Sequence, residues 1–271
     1  MLVSISILSI LMLAFTQLFG NSLKAASQIN GLNELINEGQ VAQQLIATRL
    51  QSAVYVYPSG TTVQMTPSDV TTNNTVGPST GQIWKVGSDP ILAMVLPPTK
   101  IRDGSGNAVT CGTANETTRN ACFTFYAYYP YKRGELVSST STGKPPANPV
   151  NDNQWVLMEY KRSLFDSVTR SSFSTSPPTS PTVSAWTYTS ILNSASSINM
   201  RGGSGNILVD YLQPATSAPT YTMFTVDMAN SLNNVSINFR LLQVRGGKEL
   251  RAPAATSSAP LSTRVYPRNW Y

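Results

Sequence analysis

The sequence predicts an α+β protein: a long N-terminal α-helix, apolar at first and amphipathic afterwards, packed on an antiparallel β-sheet head with long loops. Three observations carry this. The chain has no proline before Pro58, and its large apolar side chains up to Leu50 recur at steps of three and four or their sums. Beyond residue 53, segments rich in β-branched and aromatic residues are bounded by Gly, Pro and Asn clusters. In the last of these, Val235, Ile237, Phe239 and Leu241 alternate with Ser236, Asn238 and Arg240, so one face is buried and the other wetted. A sheet with one apolar face needs a covering layer, and the amphipathic half of the helix supplies it.

The helix is expected over residues 1–53. Residues 1–19, MLVSISILSILMLAFTQLF, carry no charge, and the first ionised side chain is Lys24. That run is close to the ~20 residues that span a bilayer, and it lacks the basic start of a cleaved signal. Residues 1–23 are therefore the expected membrane or filament-core part, presenting Leu2, Val3, Ile5, Ile7, Leu8, Ile10, Leu11, Leu13, Phe15, Leu18 and Phe19. Residues 24–53 form the amphipathic part, with a stripe of Ile29, Leu32, Leu35, Ile36, Leu45, Ile46 and Leu50. Glu34, Glu38, Gln44 and Arg49 lie largely away from it. A helix of this length runs roughly 80 Å, far beyond one bilayer, so its second half must pack on something else. Its expected weak point is Gly20, a residue that costs about 1 kcal/mol relative to alanine and is followed by the poor helix formers Asn21 and Ser22.

A β-rich head is expected over 54–251, with strands near 54–57, 82–86, 91–96, 122–129, 154–160, 207–212, 221–226 and 235–244. Residues 137–153 and 171–184, dense in Ser, Thr and Pro, read as loops. Gly202-Gly203-Ser204-Gly205 reads as a tight turn. Asp103-Gly104-Ser105-Gly106-Asn107 resembles the start of a calcium loop but lacks the closing glutamate, so a turn is expected. Residues 252–271 form a C-terminal tail, linker-like at first, whose aromatic end should dock.

Charged residues make up 12% of the chain, about half of the roughly 25% usual in soluble domains, and this profile fits an exported surface protein. The net charge of +6 comes from scattered basic residues. Aromatic and basic side chains adjoin at Tyr131-Lys132-Arg133 and Tyr160-Lys161-Arg162, an arrangement that could stack on and neutralise DNA, the least favoured partner. Cys111 and Cys122 flank a Gly-, Asn- and Thr-rich stretch, and a disulfide between them is expected in an oxidising compartment. The competing readings are two unrelated buried thiols and a two-cysteine metal site. The chain has no histidine, which removes Ser-His-Asp and Cys-His catalysis and the usual zinc shell. No catalytic residue, metal or cofactor is expected, and the chain is not expected to be an enzyme.

Residues 1–11, MLVSISILSIL, resemble the apolar run of type IV prepilins just after their Phe-Thr-Leu-Val-Glu. Residues 38–53, EGQVAQQLIATRLQSA, resemble the end of the helix in minor pilins and pseudopilins of the PilW and GspJ type. The likeness covers the first fifth of the chain. It implies a pilin or minor pilin, stored in the inner membrane with its head exported, then polymerised through its helix into a pilus at the cell surface. Implied partners are other copies or related pilins and the pilus assembly machinery. The basic leader, processing glycine and glutamate of the family do not occur in these residues. A start at an internal methionine of a longer prepilin is expected, since Ile5 would otherwise stand in the glutamate's place. The alternatives are a membrane-anchored surface binding domain that does not polymerise and a DNA-uptake pilin with a basic head.

Overall fold

The computed structural model describes residues 2–67, 71–99, 102–107, 109, 116–141, 143–164, 197–227, 234–254, 257 and 259–267, without the side chains of 2–6, 9, 10, 67, 197–199 and 201. Helix α1 (Leu2–Ser52) is unbroken and passes through Gly20 without interruption. It meets the rest of the protein from Gly31 onward. The buried positions are Gly31, Leu35, Gly39, Ala42, Gln43, Ile46 and Leu50, with Ala53 just beyond the helix. Steps of four and three keep them on one face.

This face corrects the expected stripe. Ile29 is exposed and Leu32, Ile36 and Leu45 are half-buried, while Gly31 and Gly39 share the face with Leu35, Ile46 and Leu50. Close approach is the reason. A Cβ on Gly39 would stand 2.6 Å from Leu241 Cδ1, and one on Gly31 would stand 2.9 Å from Leu250 Cδ1. The helix therefore lies directly on the side chains of the sheet.

The head follows as β1 (Tyr55–Val56), β2 (Thr62–Pro67), β3 (Ile83–Lys85), β4 (Leu92–Leu96), α2 (Glu116–Asn120), β5 (Thr124–Lys132), α3 (Arg133–Ser138), a 3-10 turn (Pro149–Asn151), β6 (Trp155–Ser163), β7 (Ser197–Leu212), β8 (Phe224–Asp227), β9 (Asn234–Phe239), β10 (Leu241–Arg245), β11 (Lys248–Ala252) and β12 (Leu261–Val265). Among the described residues, nine strands form one sheet with the path β1-β4-β5-β6-β7-β10-β11, extended by β2 and β3, and three form a second sheet ordered β12-β9-β8. Pairing is antiparallel with one exception: β2 runs parallel to the first half of β7, from Thr62 beside Ser197 to Pro67 beside Gly203. Strand β7 thus bonds β6 with its second half and β2 with its first, and the sheet curls over itself.

Curling buries both faces of the central strands. Leu92, Met94, Tyr126, Tyr128, Trp155 and Leu157 pack with Leu35, Ile46 and Leu50 of α1. Ala93, Val95, Phe125, Ala127, Tyr129, Val156, Met158 and Tyr160 pack in a second core with Val63, Met65, Trp84 and Met200. Strands buried on both sides need no polar alternation, which is why β4, β5 and β6 read as continuous apolar runs.

Several expectations are corrected here. Residues 235–244 form two strands in different sheets. The break falls at Arg240, which is buried and donates to the Ser257 carbonyl at 2.9 Å. Residues 202–205 lie inside β7 instead of making a turn. Gly203 is required there because its N–H donates to the Tyr160 hydroxyl at 2.7 Å and a Cβ would collide with that ring. The C-terminal tail contains β12, which pairs with β9 from Leu261 beside Phe239 to Val265 beside Val235. Residues 137–153 include the end of α3 and the 3-10 turn, while 171–184 lie outside the described residues. Where the sequence showed alternation the structure follows it: Val235, Ile237 and Phe239 are fully buried.

Candidate functional site

From residue 7 to Asn30 every described position of α1 is exposed apart from Gly20 and Gln28, which are intermediate. Ten large apolar side chains stand in water along this stretch: Ile7, Leu8, Leu11, Met12, Leu13, Phe15, Leu18, Phe19, Leu23 and Ile29, each more than half exposed. Nine of them fall within an arc of about 160° around the helix, and Leu13 stands on the opposite side. The one hydroxyl in residues 11–19 is turned inward, with Thr16 Oγ1 donating to the carbonyls of Met12 and Leu13, both at 2.9 Å. A broad exposed apolar face of this kind suits an apolar environment. Of the expected core residues, Leu2, Val3, Ile5 and Ile10 have side chains outside the described ones. Among the described residues no helix is long and apolar enough to cross a membrane.

The lower half of α1 is held by three polar attachments, spaced along its length. Glu38 Oε1 accepts the Asp210 N–H at 2.8 Å. Burial pushes the Glu38 carboxyl above the usual glutamate range; the hydrogen bond from the Asp210 backbone opposes this, and the charges of Asp210 and Glu34 add to it. Gln43 Nε2 donates to the Leu261 carbonyl at 2.8 Å and the Ile237 carbonyl at 3.2 Å, bonding the helix to the three-stranded sheet. Arg49 donates to both the Tyr128 hydroxyl and the Glu159 carboxylate and lies over the Tyr126 ring, 4.4 Å from its centroid. Burial first, and then the Glu159 charge, drive the Tyr128 phenol far above its ordinary value, so it remains a neutral hydroxyl.

Behind the Glu38 contact sits a fully buried cation. Arg133 is 0% exposed, with Nε 3.0 Å from Asp210 Oδ1, Nη1 3.0 Å from Asp152 Oδ1 and Nη2 2.7 Å from the Pro146 carbonyl. Tyr211 places its ring 5.2 Å from the guanidinium. It does so from a left-handed backbone, φ 58°, a conformation that costs a non-glycine residue about 1–2 kcal/mol. Sequence reasoning missed this cluster, and it placed Glu38 off the packed face. The partners of Arg133 on β7 and in the 3-10 turn region are far away in sequence, and nothing local distinguishes Arg133 from a surface arginine.

The remaining candidates separate from the helix. In the two aromatic–basic stretches Tyr131, Arg133 and Tyr160 are buried, Lys132 and Lys161 are exposed, and Arg162 donates to the Gly202 carbonyl at 2.7 Å. The Asp103 carboxylate caps its own turn, accepting the N–H groups of Ser105 and Asn107 at 2.9 and 2.8 Å. Among the described residues no group of three or more His, Cys, Asp or Glu could hold a metal ion. Cys122 is buried and carries no free thiol; Cys111 lies outside the described residues. No family model, curated protein or solved structure matches the chain.

Proposed function

We propose that the chain is a structural subunit of a type IV pilus-like filament, a pilin or minor pilin, held in the inner membrane by the first half of α1 and then polymerised through it. The observation that carries this reading is the projecting helix, with ten large apolar side chains exposed along it, joined without a break to a half pinned to a β-rich head. Burying the remaining exposed area of its ten large apolar side chains stabilises an assembly by about 1–2 kcal/mol each, on the order of 10–20 kcal/mol in all. Such a surface must be covered by lipid or by other helices. A filament supplies the second cover when the subunit leaves the first. The head's role is to be carried on the outside, and the attachments through Glu38, Gln43 and Arg49 transmit the pull on the helix to it. In an exported head, a Cys111–Cys122 disulfide would close the loop before β5.

The test is removal of residues 1–19 from the chain in producing cells. The expected result is a folded, soluble head that is absent from sheared surface filaments. A truncated chain that still enters filaments overturns the mechanism. A full-length chain that stays in the membrane and enters no filament supports the anchored, non-polymerising alternative.

A further inference from the structure

We infer that neighbouring copies of this chain pack their projecting helices in parallel, displaced along the axis by about three turns, so that Lys24 of one copy meets Glu34 of the next. The inference rests on the filament reading and specifies its contact. Lys24 is the first charge on the helix, is exposed, and has no ion-pair partner among the described residues. It sits at the end of the apolar stretch, where a parallel neighbour in the same register would set Lys24 against Lys24. Glu34 is the nearest acidic group along the helix. Its side chain is 79% exposed, and its one recorded partner, Arg245, is distant at 3.8 Å. Glu38, one turn further on, is already committed to the Asp210 backbone.

A displacement of about 10 residues, just under three turns or roughly 15 Å, brings Lys24 level with Glu34. The same displacement sets Leu8 level with Leu18, Leu13 with Leu23 and Phe19 with Ile29, and all six are exposed. The charges select the offset, and the apolar side chains accommodate it. It also explains why Ile29, large and apolar, lies outside the face that α1 turns to its own head. A displaced contact is heterologous: each copy offers one surface below and a different one above, so the arrangement continues as a filament instead of closing into a dimer.

Charge reversal in the full-length chain tests the pairing, with subunits in sheared filaments measured by quantitative immunoblotting. Both sites are exposed, and circular dichroism of the purified variants checks that folding is intact. Lys24→Glu and Glu34→Lys should each lower incorporation by about tenfold, equivalent to ~1.4 kcal/mol per contact. The double variant should restore it. If the single variants assemble like the parent, or the double variant fails to rescue, the offset is wrong while the filament reading stands. If the parent chain itself enters no assembly, the filament reading falls and takes the offset with it.

Discussion

Replacing Asp210 by alanine is the sharpest probe of the buried charge cluster behind the helix. Asp210 is 16% exposed and supplies the more buried carboxylate of a guanidinium that has no exposure at all, with Arg133 Nε 3.0 and 3.2 Å from its two oxygens. Breaking a buried pair by removing one partner costs about 3–5 kcal/mol, because the other charge stays buried. Here Asp152 remains as a counter-charge, but it is 34% exposed and better screened. The expected loss is therefore about 2–4 kcal/mol, a fall in Tm of roughly 10 °C for a chain of this size. Thermal unfolding of the full chain in detergent, followed by circular dichroism, measures it. Glu135→Ala is the control: that pair with Lys132 is 44% and 49% exposed, spaced i, i+3, and contributes at most about 0.5 kcal/mol. Added salt should erase the small effect and leave the large one. If Asp210→Ala costs no more than Glu135→Ala, the Arg133 cluster does not hold the fold as argued.

Two further substitutions test the seat of the helix. Leu50→Ala, at a position with 0% exposure, should destabilise the chain by about 2–5 kcal/mol, whereas Ile29→Ala, 59% exposed, should change it by less than about 0.5 kcal/mol; equal effects in the same melt would refute the assigned face. Glu38 should make stability depend on pH. Its carboxyl is raised in the folded chain, so the folded state holds the proton more tightly than the unfolded one. That contribution is fully present below the ordinary glutamate value and is lost as pH rises through the raised one. Glu38→Gln should flatten this part of the stability profile, just above the ordinary glutamate value, and an unchanged profile in denaturant titrations would remove Glu38 as its source.

The sequence by itself determined the long helix, its change of character near Lys24 and the alternation of β9. These follow from local rules: with no proline to break it, a helix propagates, and a side chain's face depends only on its place in a repeat of 3.6 or 2. Tertiary structure decided which residues the helix presents to the head. Gly31 and Gly39 are poor helix formers, yet at these positions the helix lies close on Leu250 and Leu241, because contact there is limited by backbone approach and not by hydrophobicity. It also decided the parallel pairing of β2 with β7, the use of the tail as β12, and the burial of Arg133 against Asp210. Each joins residues far apart in the chain or completes a distant sheet. No local periodicity encodes such a contact, since its energy depends on partners that folding alone brings together.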